Sequence, residues 1–397
     1  MGDSAVSYVI QERQSLAIAS INLFNFIAPP KAFYDFENIY SNAQWKNKQG
    51  WLADFIKMAD ADVVGFQEVF SPNALEALVS SLGYPYFAVV DEPQVITDYV
   101  YKSPVVAIAS KYPITQVQSV AADAQICAQM GLASEFQFSR KPLRATIQLP
   151  VIGSCDCYVI HFKSKRNQLD KSKPLATTLL HDEAKSEAEL SEPTTAVTNL
   201  TGAAEFVAEQ VLGRWGASLQ RGSEASLLYH AMVQRRFLTQ HPFVLMGDFN
   251  DDLVSDLFSA FRQSSRVFRS DIEDKSLAQL SDVALKAELQ LYGLFDSYEL
   301  HQSASRCNKT LAQDEFETSS HYENANLKRP ATHYYGNTGS VLDYILVSSE
   351  FNHAGLQNIA QIIDYQTFDR HLVKPDYQRD KDSTDHAPVM MTFEIRS

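Results

Sequence analysis

The chain has 397 residues, 45% of them hydrophobic and 11% aromatic, enough for a large core as one big domain with insertions or as two domains. Lys and Arg number 34 against 48 Asp and Glu, a net charge of −14, which argues against a long basic surface for duplex nucleic acid without excluding a local one. No apolar run reaches the ~20 residues that span a bilayer. The start, MGDSAVSYVIQERQ, has no basic region before an apolar stretch, so the expected location is cytoplasmic unless a leader has been removed.

SLAIASINLFNF opens the pattern with a buried strand, Leu16 to Leu23. Trp45, Trp51, Leu52, Phe55 and Ile56 then recur at helical spacing. VVGFQEVF is a short strand. SPNALEALVSSLGYP reads as a helix with Ser71 as N-cap, Pro72 in the first turn and Gly83 as the stop. Further strands are expected at 86–90, 104–109, 144–149 and 158–162. Cys127, Cys155, Cys157 and Cys307 are too few for a disulfide framework, and a structural role is expected for Cys155-x-Cys157.

The character changes at Lys163. Residues 163–222 are polar, with the charge-rich HDEAKSEAELSEP and a helix around GAAEFVAEQVLGRW. They read as an insertion packed beside the main body, not an independent domain. GSEASLLYHAMVQRRFLTQ is an amphipathic helix leading into a buried strand that ends in GDFNDD. A long irregular loop is expected at 302–339, then the strand SVLDYILVSS, and finally APVMMTFEI. Several strand pairs have no helix between them, which predicts an α/β layered fold with mixed sheets.

Polar groups sit at the ends of most of these apolar strands: Asn22 in INL, Glu68 in GFQEV, His161 in VIHFKSKR, Asp248 and Asn250 in GDFN, Asp343 in VLDYILVS, and Asp385 and His386 in STDHAPV. Each alone has a plain structural reading as a turn former, strand cap or satisfied core group. Together they are costly unless shared, because an unsatisfied buried polar group loses about 1–3 kcal/mol. One site at the edge of the sheets accounts for all of them. Carboxylates and amides without a thiol cluster suit a hard cation such as Mg²⁺ or Mn²⁺, and histidines with basic groups suit a phosphate. Neither a G-x-x-x-x-G-K-[ST] loop nor a G-x-S-x-G elbow is present.

In this order the six motifs resemble the endonuclease/exonuclease/phosphatase superfamily, from about Leu16 to Ile395, with HFKSKR closest to bacterial nuclease-type members. The resemblance implies a four-layered α/β sandwich, two packed mixed β-sheets flanked by helices, spanning residues 15–397. It implies a site at one rim and a divalent cation, Mg²⁺ with Mn²⁺ or Ca²⁺ as alternatives. Glu68 would ligate the metal, with Asn22 orienting or joining it and Asp385 as a further ligand. Asp248 would orient and deprotonate the attacking water. Asn250 would hold that water or a phosphate oxygen. His386, oriented by Asp343, would steady the phosphate's charge. His161 would bind phosphate or protonate the leaving oxygen, and Arg144 and Lys163 are candidate phosphate contacts.

Phe24 stands where some nuclease members carry Asp, which argues against a second metal that depends on it. The expected activity is a metal-dependent, nuclease-like phosphodiesterase acting on a phosphoester, with nucleic acid as one candidate substrate. A phosphatase of a small phosphorylated compound or phosphoinositide headgroup is the alternative, and a catalytically silent binding protein with this fold is a third class.

Overall fold

Alternating apolar residues build two sheets face to face. The computed structural model describes residues 15–133, 135–167, 176–179, 196–199, 202–258, 261, 272–312, 329–355 and 357–396. Twelve strands make up the two main sheets. In chain order they are β1 (Ser15–Phe26), β2 (Val63–Val69), β3 (Tyr86–Val89), β4 (Val105–Ser110), β5 (Ile114–Ser119) and β6 (Leu143–Leu149), followed by β7 (Gly153–His161), β8 (Phe243–Asp248), β9 (Phe295–Asp296), β10 (Asp343–Val347), β11 (Ala360–Thr367) and β12 (Val389–Ile395). The first sheet has the order β11-β12-β1-β2-β4-β3 and the second β9-β10-β8-β7-β6-β5. Both are mixed, with one parallel pair in each, β1 with β2 and β7 with β8.

Leu16 and Ile18 of β1 meet Cys157 and Val159 of β7, Val244 and Met246 of β8, and Ile345 and Val347 of β10 in the core between the sheets. The sheets approach so closely that a Cβ on Gly65 would lie 2.8 Å from the Met246 sulfur. Helix α1 (Asn42–Ala59) and helix α2 (Pro72–Ser81) cover the outer face of the first sheet through Leu52, Phe55, Ile56, Leu75 and Val79. Helix α3 (Gly202–Thr239) covers the second with Ala225, Leu228 and Met232. The result is the expected helix–sheet–sheet–helix sandwich. Each fully buried Leu, Ile or Phe contributes about 1.5–3 kcal/mol, so the columns of apolar side chains, not the loops, make the rim rigid.

Local signals account for the helix ends. Ser41 and Gln44 form a reciprocal capping box at the start of α1. Ser71 does stand at the N-cap of α2, but its hydroxyl accepts from the Ala28 amide instead of capping the helix. Gly83 follows α2 with φ +93°, a conformation open to glycine.

Three expectations need correction. The two helices read on either side of Gly222 are one 38-residue helix, α3. Its Gly213 packs where a Cβ would overlap the Asn167 side chain, and Gly222 faces Leu257, so glycine here serves close packing. The segment 302–339 is not all irregular: helix α4 (Ser297–Ala312) runs into it, and a hairpin of His333–Tyr335 and Thr338–Ser340 closes it. Buried Leu300 and Ala304, and a Tyr298–Tyr365 ring contact at 5.5 Å, hold α4 against β11. Strands β5 and β11 were also missed. The charge-rich HDEAKSEAELSEP lies outside the described residues. Cys155 and Cys157 are buried between the sheets as free thiols. Among the described residues no helix is long and apolar enough to cross a membrane.

Candidate active site

Strand register assembles the rim. His161 of β7 pairs with Asp248 of β8, and Asp248 pairs with Asp343 of β10. The three therefore stand side by side on one face. That face is the inward one, because each continues an apolar column two residues on: Val159 to His161, Met246 to Asp248, Ile345 to Asp343. Asn22 continues the column of Leu16 and Ile18 on β1 and meets Asp248 from the opposite sheet, its Nδ2 donating to Oδ2 at 3.1 Å.

The backbone bends where it delivers these groups. A Cβ on Gly247 would lie 2.0 Å from the Ile160 carbonyl oxygen, so the residue before Asp248 must be glycine. Asn250 takes a left-handed φ of 55°, which Asn tolerates. Phe24, Asn25 and Glu68 also have positive φ, where β1 and β2 shift register against their neighbours. Such strain in non-glycine residues gathers at functional sites. The Asn25 amide fastens Glu68 by donating to Oε2 at 2.8 Å.

Asp248 is 1% exposed and is the centre of the cluster. Its Oδ1 accepts the Asn250 amide at 2.8 Å, and its Oδ2 accepts the Asn22 and Asn250 side-chain amides at 3.1 and 3.2 Å. His161 Nε2 is 3.4 Å from Oδ2 and His386 Nε2 3.9 Å. Burial pushes the Asp248 carboxyl up to about 7, with the neighbouring Asp343 adding and His386 opposing. The two histidines diverge. Burial, reinforced by Arg140, holds His161 well below the usual range, so it is neutral. His386 also suffers burial, but Asp343, 2.8 Å from Nδ1, and Asp248 outweigh it and hold it well above, so it is protonated. Both hydrogens of the Asn250 amide are engaged, on the Phe162 carbonyl and on Asp248, which leaves its oxygen as the free end.

Arg144 and Lys163 are placed differently from expectation. Arg144 lies within β6, paired with Tyr158 three positions before His161, and donates to Gln118 at 2.7 Å. The arginine beside the rim is Arg140, which donates to the Phe162 carbonyl at 3.4 Å and acts electrostatically on His161 and Lys163. Lys163 turns its ammonium onto the Ser164 and Arg166 carbonyls. Helix α3 clamps this corner. Buried Glu224 accepts the Ser139 and Lys163 amides at 2.6 and 2.7 Å, and buried Arg221 bridges the Lys163 carbonyl and Asp251.

Lys48 and His333 were not singled out from the sequence. Lys48 is buried, bonds the Ser383 carbonyl at 3.1 Å, and has its pKa brought down to about 8 by burial against the pull of Asp385 and Glu68. Its signal was a lysine on the otherwise apolar face of α1. His333 pairs with His386 as a β-bridge, their rings 4.9 Å apart, and it comes from the segment read as irregular.

Two carboxylates at the rim suit a cation. Asp385 keeps a buried Oδ1 with no hydrogen-bond partner, and burial, then Glu68, push its carboxyl up. Glu68 has one oxygen without a partner among the described residues. Two under-neutralised carboxylates with a buried orphan oxygen fit a hard divalent ion. Nitrogen-containing groups also occur, His333–Asp385–His386 and Asp248–Asp343–His386. Both use His386, where a cation would have to displace the proton that Asp343 and Asp248 favour. Asn22 has both amide ends engaged, on Asp248 and on the Phe24 amide, which suits a positioning group.

Solved structures with related folds include the human Nocturnin catalytic domain with bound sulfate, 12% identical, covering 97% of this chain and 96% of that one with a TM-score of 0.49. ANGEL2, described as a 2′,3′-cyclic phosphatase, is 14% identical over 96% of this chain and 95% of its own, TM-score 0.49. A D. rerio TDP2 humanised by 14 mutations is 11% identical over 96% and 98%, TM-score 0.47. At these values they decide nothing about activity. No curated protein matches the sequence. The Endonuclease/Exonuclease/phosphatase family model matches residues 38–386, from before α1 to His386, so the chain belongs to that family of phosphate-ester hydrolases, which is generally divalent-metal dependent.

Proposed function

We propose that this chain is a divalent-metal-dependent phosphodiesterase of nuclease type, with Asp248 as the base for the attacking water. The observation that carries the reading is the set of contacts on that one carboxylate. At hydrogen-bond distance it meets only neutral amides and a neutral histidine, and the nearest cation, His386, stands at 3.9 Å. A buried carboxylate raised to about 7 is matched to proton abstraction at neutral pH.

The remaining groups divide the work. His386, kept protonated by Asp343, offers Nε2 to the phosphate's developing negative charge. His161 holds Asp248 in place, and its neutral state makes it a poor donor to the leaving oxygen. The Asn250 carbonyl oxygen accepts from the attacking water. Arg140 takes the phosphate-binding role expected of Arg144. Glu68 and Asp385 would hold the cation, which when bound neutralises phosphate and leaving-group oxygens.

The net charge of −14 favours a compact substrate over a long duplex and keeps a phosphatase of a small phosphorylated compound as the second reading. The test is turnover of plasmid, single-stranded DNA, RNA, bis-p-nitrophenyl phosphate and inositol phosphates, with and without EDTA. EDTA-sensitive hydrolysis of diesters is expected. Hydrolysis confined to monoesters, or indifferent to EDTA, rejects the reading.

A further inference from the structure

Directly behind the loop that carries Asp385 and His386 lies a cavity of about 380 Å³, between α1 and residues 368–379. Its wall is aromatic. Trp51 and Phe55 stack at 5.8 Å and 10°, and Phe368 meets Phe55 edge-on at 5.1 Å. Exposed Met58 stands at the lip, with Arg370 and Arg379. The wall is fixed in advance. Buried Asp380 accepts both the Trp51 indole N–H at 3.3 Å and the Arg370 guanidinium at 2.6 Å. The Arg379 guanidinium has no hydrogen-bond or ion-pair partner among the described residues, so its donors are free at the mouth.

The cavity is joined to the rim. His371, against Trp51 at 5.0 Å, donates Nε2–H to the His386 carbonyl at 3.1 Å. Lys48, one helical turn before Trp51 on α1, donates to the Ser383 carbonyl. We propose that this cavity is a nucleobase subsite: it takes one base of a nucleic-acid strand on its aromatic wall and the adjoining phosphate on Arg379, while another phosphodiester of the same strand lies at Asp248. This rests on the phosphodiesterase reading above. Aromatic rings beside a free guanidinium are the pairing that single-stranded nucleic acid uses. The volume suits one nucleotide.

The test uses the full chain with Arg379→Glu and Met58→Glu, both at exposed positions, checked by thermal melts. Kinetics are measured on a single-stranded oligonucleotide and on methyl p-nitrophenyl phosphate, which has no nucleobase to fill the cavity. KM for the oligonucleotide should rise about tenfold, because each variant sets a carboxylate at the mouth where the strand's phosphate would lie. Its kcat, and turnover of the small diester, should stay within twofold. In parallel, an oligonucleotide carrying 5-iodouracil is photo-crosslinked to Asp248→Asn protein and the adduct is mapped. Adducts on Trp51, Phe55 or His371 are expected. Unchanged KM in both variants, or adducts only elsewhere, overturns the subsite. If no phosphodiester at all is cleaved, the catalytic reading fails, and the crosslink map still decides the cavity on its own.

Discussion

Strand β7 and its neighbours carry two buried carboxylates in opposite situations. Asp156 is 2% exposed and Asp248 1%. Burial pushes Asp156 up as it does Asp248, but Arg235 at 2.8 Å and Thr146 at 2.5 Å outweigh it and hold the carboxyl below its usual range. Asp248 receives amides and only a distant imidazolium, and it ends near 7. The same depth of burial thus gives a settled structural ion in one place and a proton acceptor in the other. Exposure does not separate them. The partners do, since a cation in contact offsets desolvation and an amide does so only in part.

The sharpest break of this comparison is to neutralise each carboxylate in turn. Asp248→Asn should lose roughly 10²–10⁴ in kcat, the usual span for removing a general base, with its melting temperature unchanged or raised because a poorly compensated buried charge is gone. Asp156→Asn should do the reverse, keeping kcat and lowering the melting temperature. Near-wild-type turnover in folded Asp248→Asn would return the GDFN segment to a simple turn.

Next is His386. His386→Ala should cut kcat about 10²-fold or more, as for loss of one charge-stabilising donor. Asp343→Asn should cost less, because Asp343 acts through the imidazole. It should also shift activity toward acid: without Asp343 the His386 pKa falls, and its charge is lost at lower pH. A pH–rate profile unchanged by Asp343→Asn would disconnect the pair from catalysis.

Arg235→Gln tests the settled carboxylate. Breaking a buried pair costs about 3–5 kcal/mol, and Arg235 is partly exposed, so about 2–3 kcal/mol is expected in urea unfolding at pH 7. The sign with pH follows from the depressed pKa. The stabilisation is present above the unfolded Asp value of about 3.9 and is lost as pH falls through the folded one. The gap between wild type and variant should therefore begin to narrow below about pH 4 and close as pH falls through the folded value. A gap that does not narrow at all as pH falls below about 4 would mean Arg235 acts by packing alone.

The smallest effect is expected from the clamp. Glu224→Gln can still accept one of the Ser139 and Lys163 amides, so Arg140 should be loosened, not lost. KM should rise about three- to tenfold with kcat nearly constant, a change of about 1 kcal/mol. An unchanged KM would confine Glu224 to holding the fold.

Much of the site was legible because period-2 alternation is a local rule. Leu16, Ile18 and Asn22 share a parity, as do Val244, Met246 and Asp248, so a polar residue ending an apolar column must stand at the rim of the core. The requirement for glycine before Asp248 was visible as a letter, although its cause, the Ile160 carbonyl at 2.0 Å from any Cβ, lies on another strand. Arg140 and Arg144 could not be ranked from RKPLRA alone, because the strand start that separates them depends on pairing with β7.

By itself, then, the chain's pattern determined a layered α/β fold with mixed sheets and the apolar strands that end in polar residues, since each follows from neighbours a few residues apart, whereas the two-sheet sandwich and the roles at its rim came from the resemblance of the motifs to a family. The reason for glycine at positions 213 and 222 of α3 was decided elsewhere, by Asn167 and Leu257 filling the space that side chains would have taken. So were the ionisation states. Burial holds the His161 pKa down with Arg140 adding to it, whereas on His386 burial is outweighed by Asp343, more than forty residues earlier in the chain, and by Asp248. Coulomb energy depends on distance in space and on the solvent excluded between charges, and no local pattern encodes either.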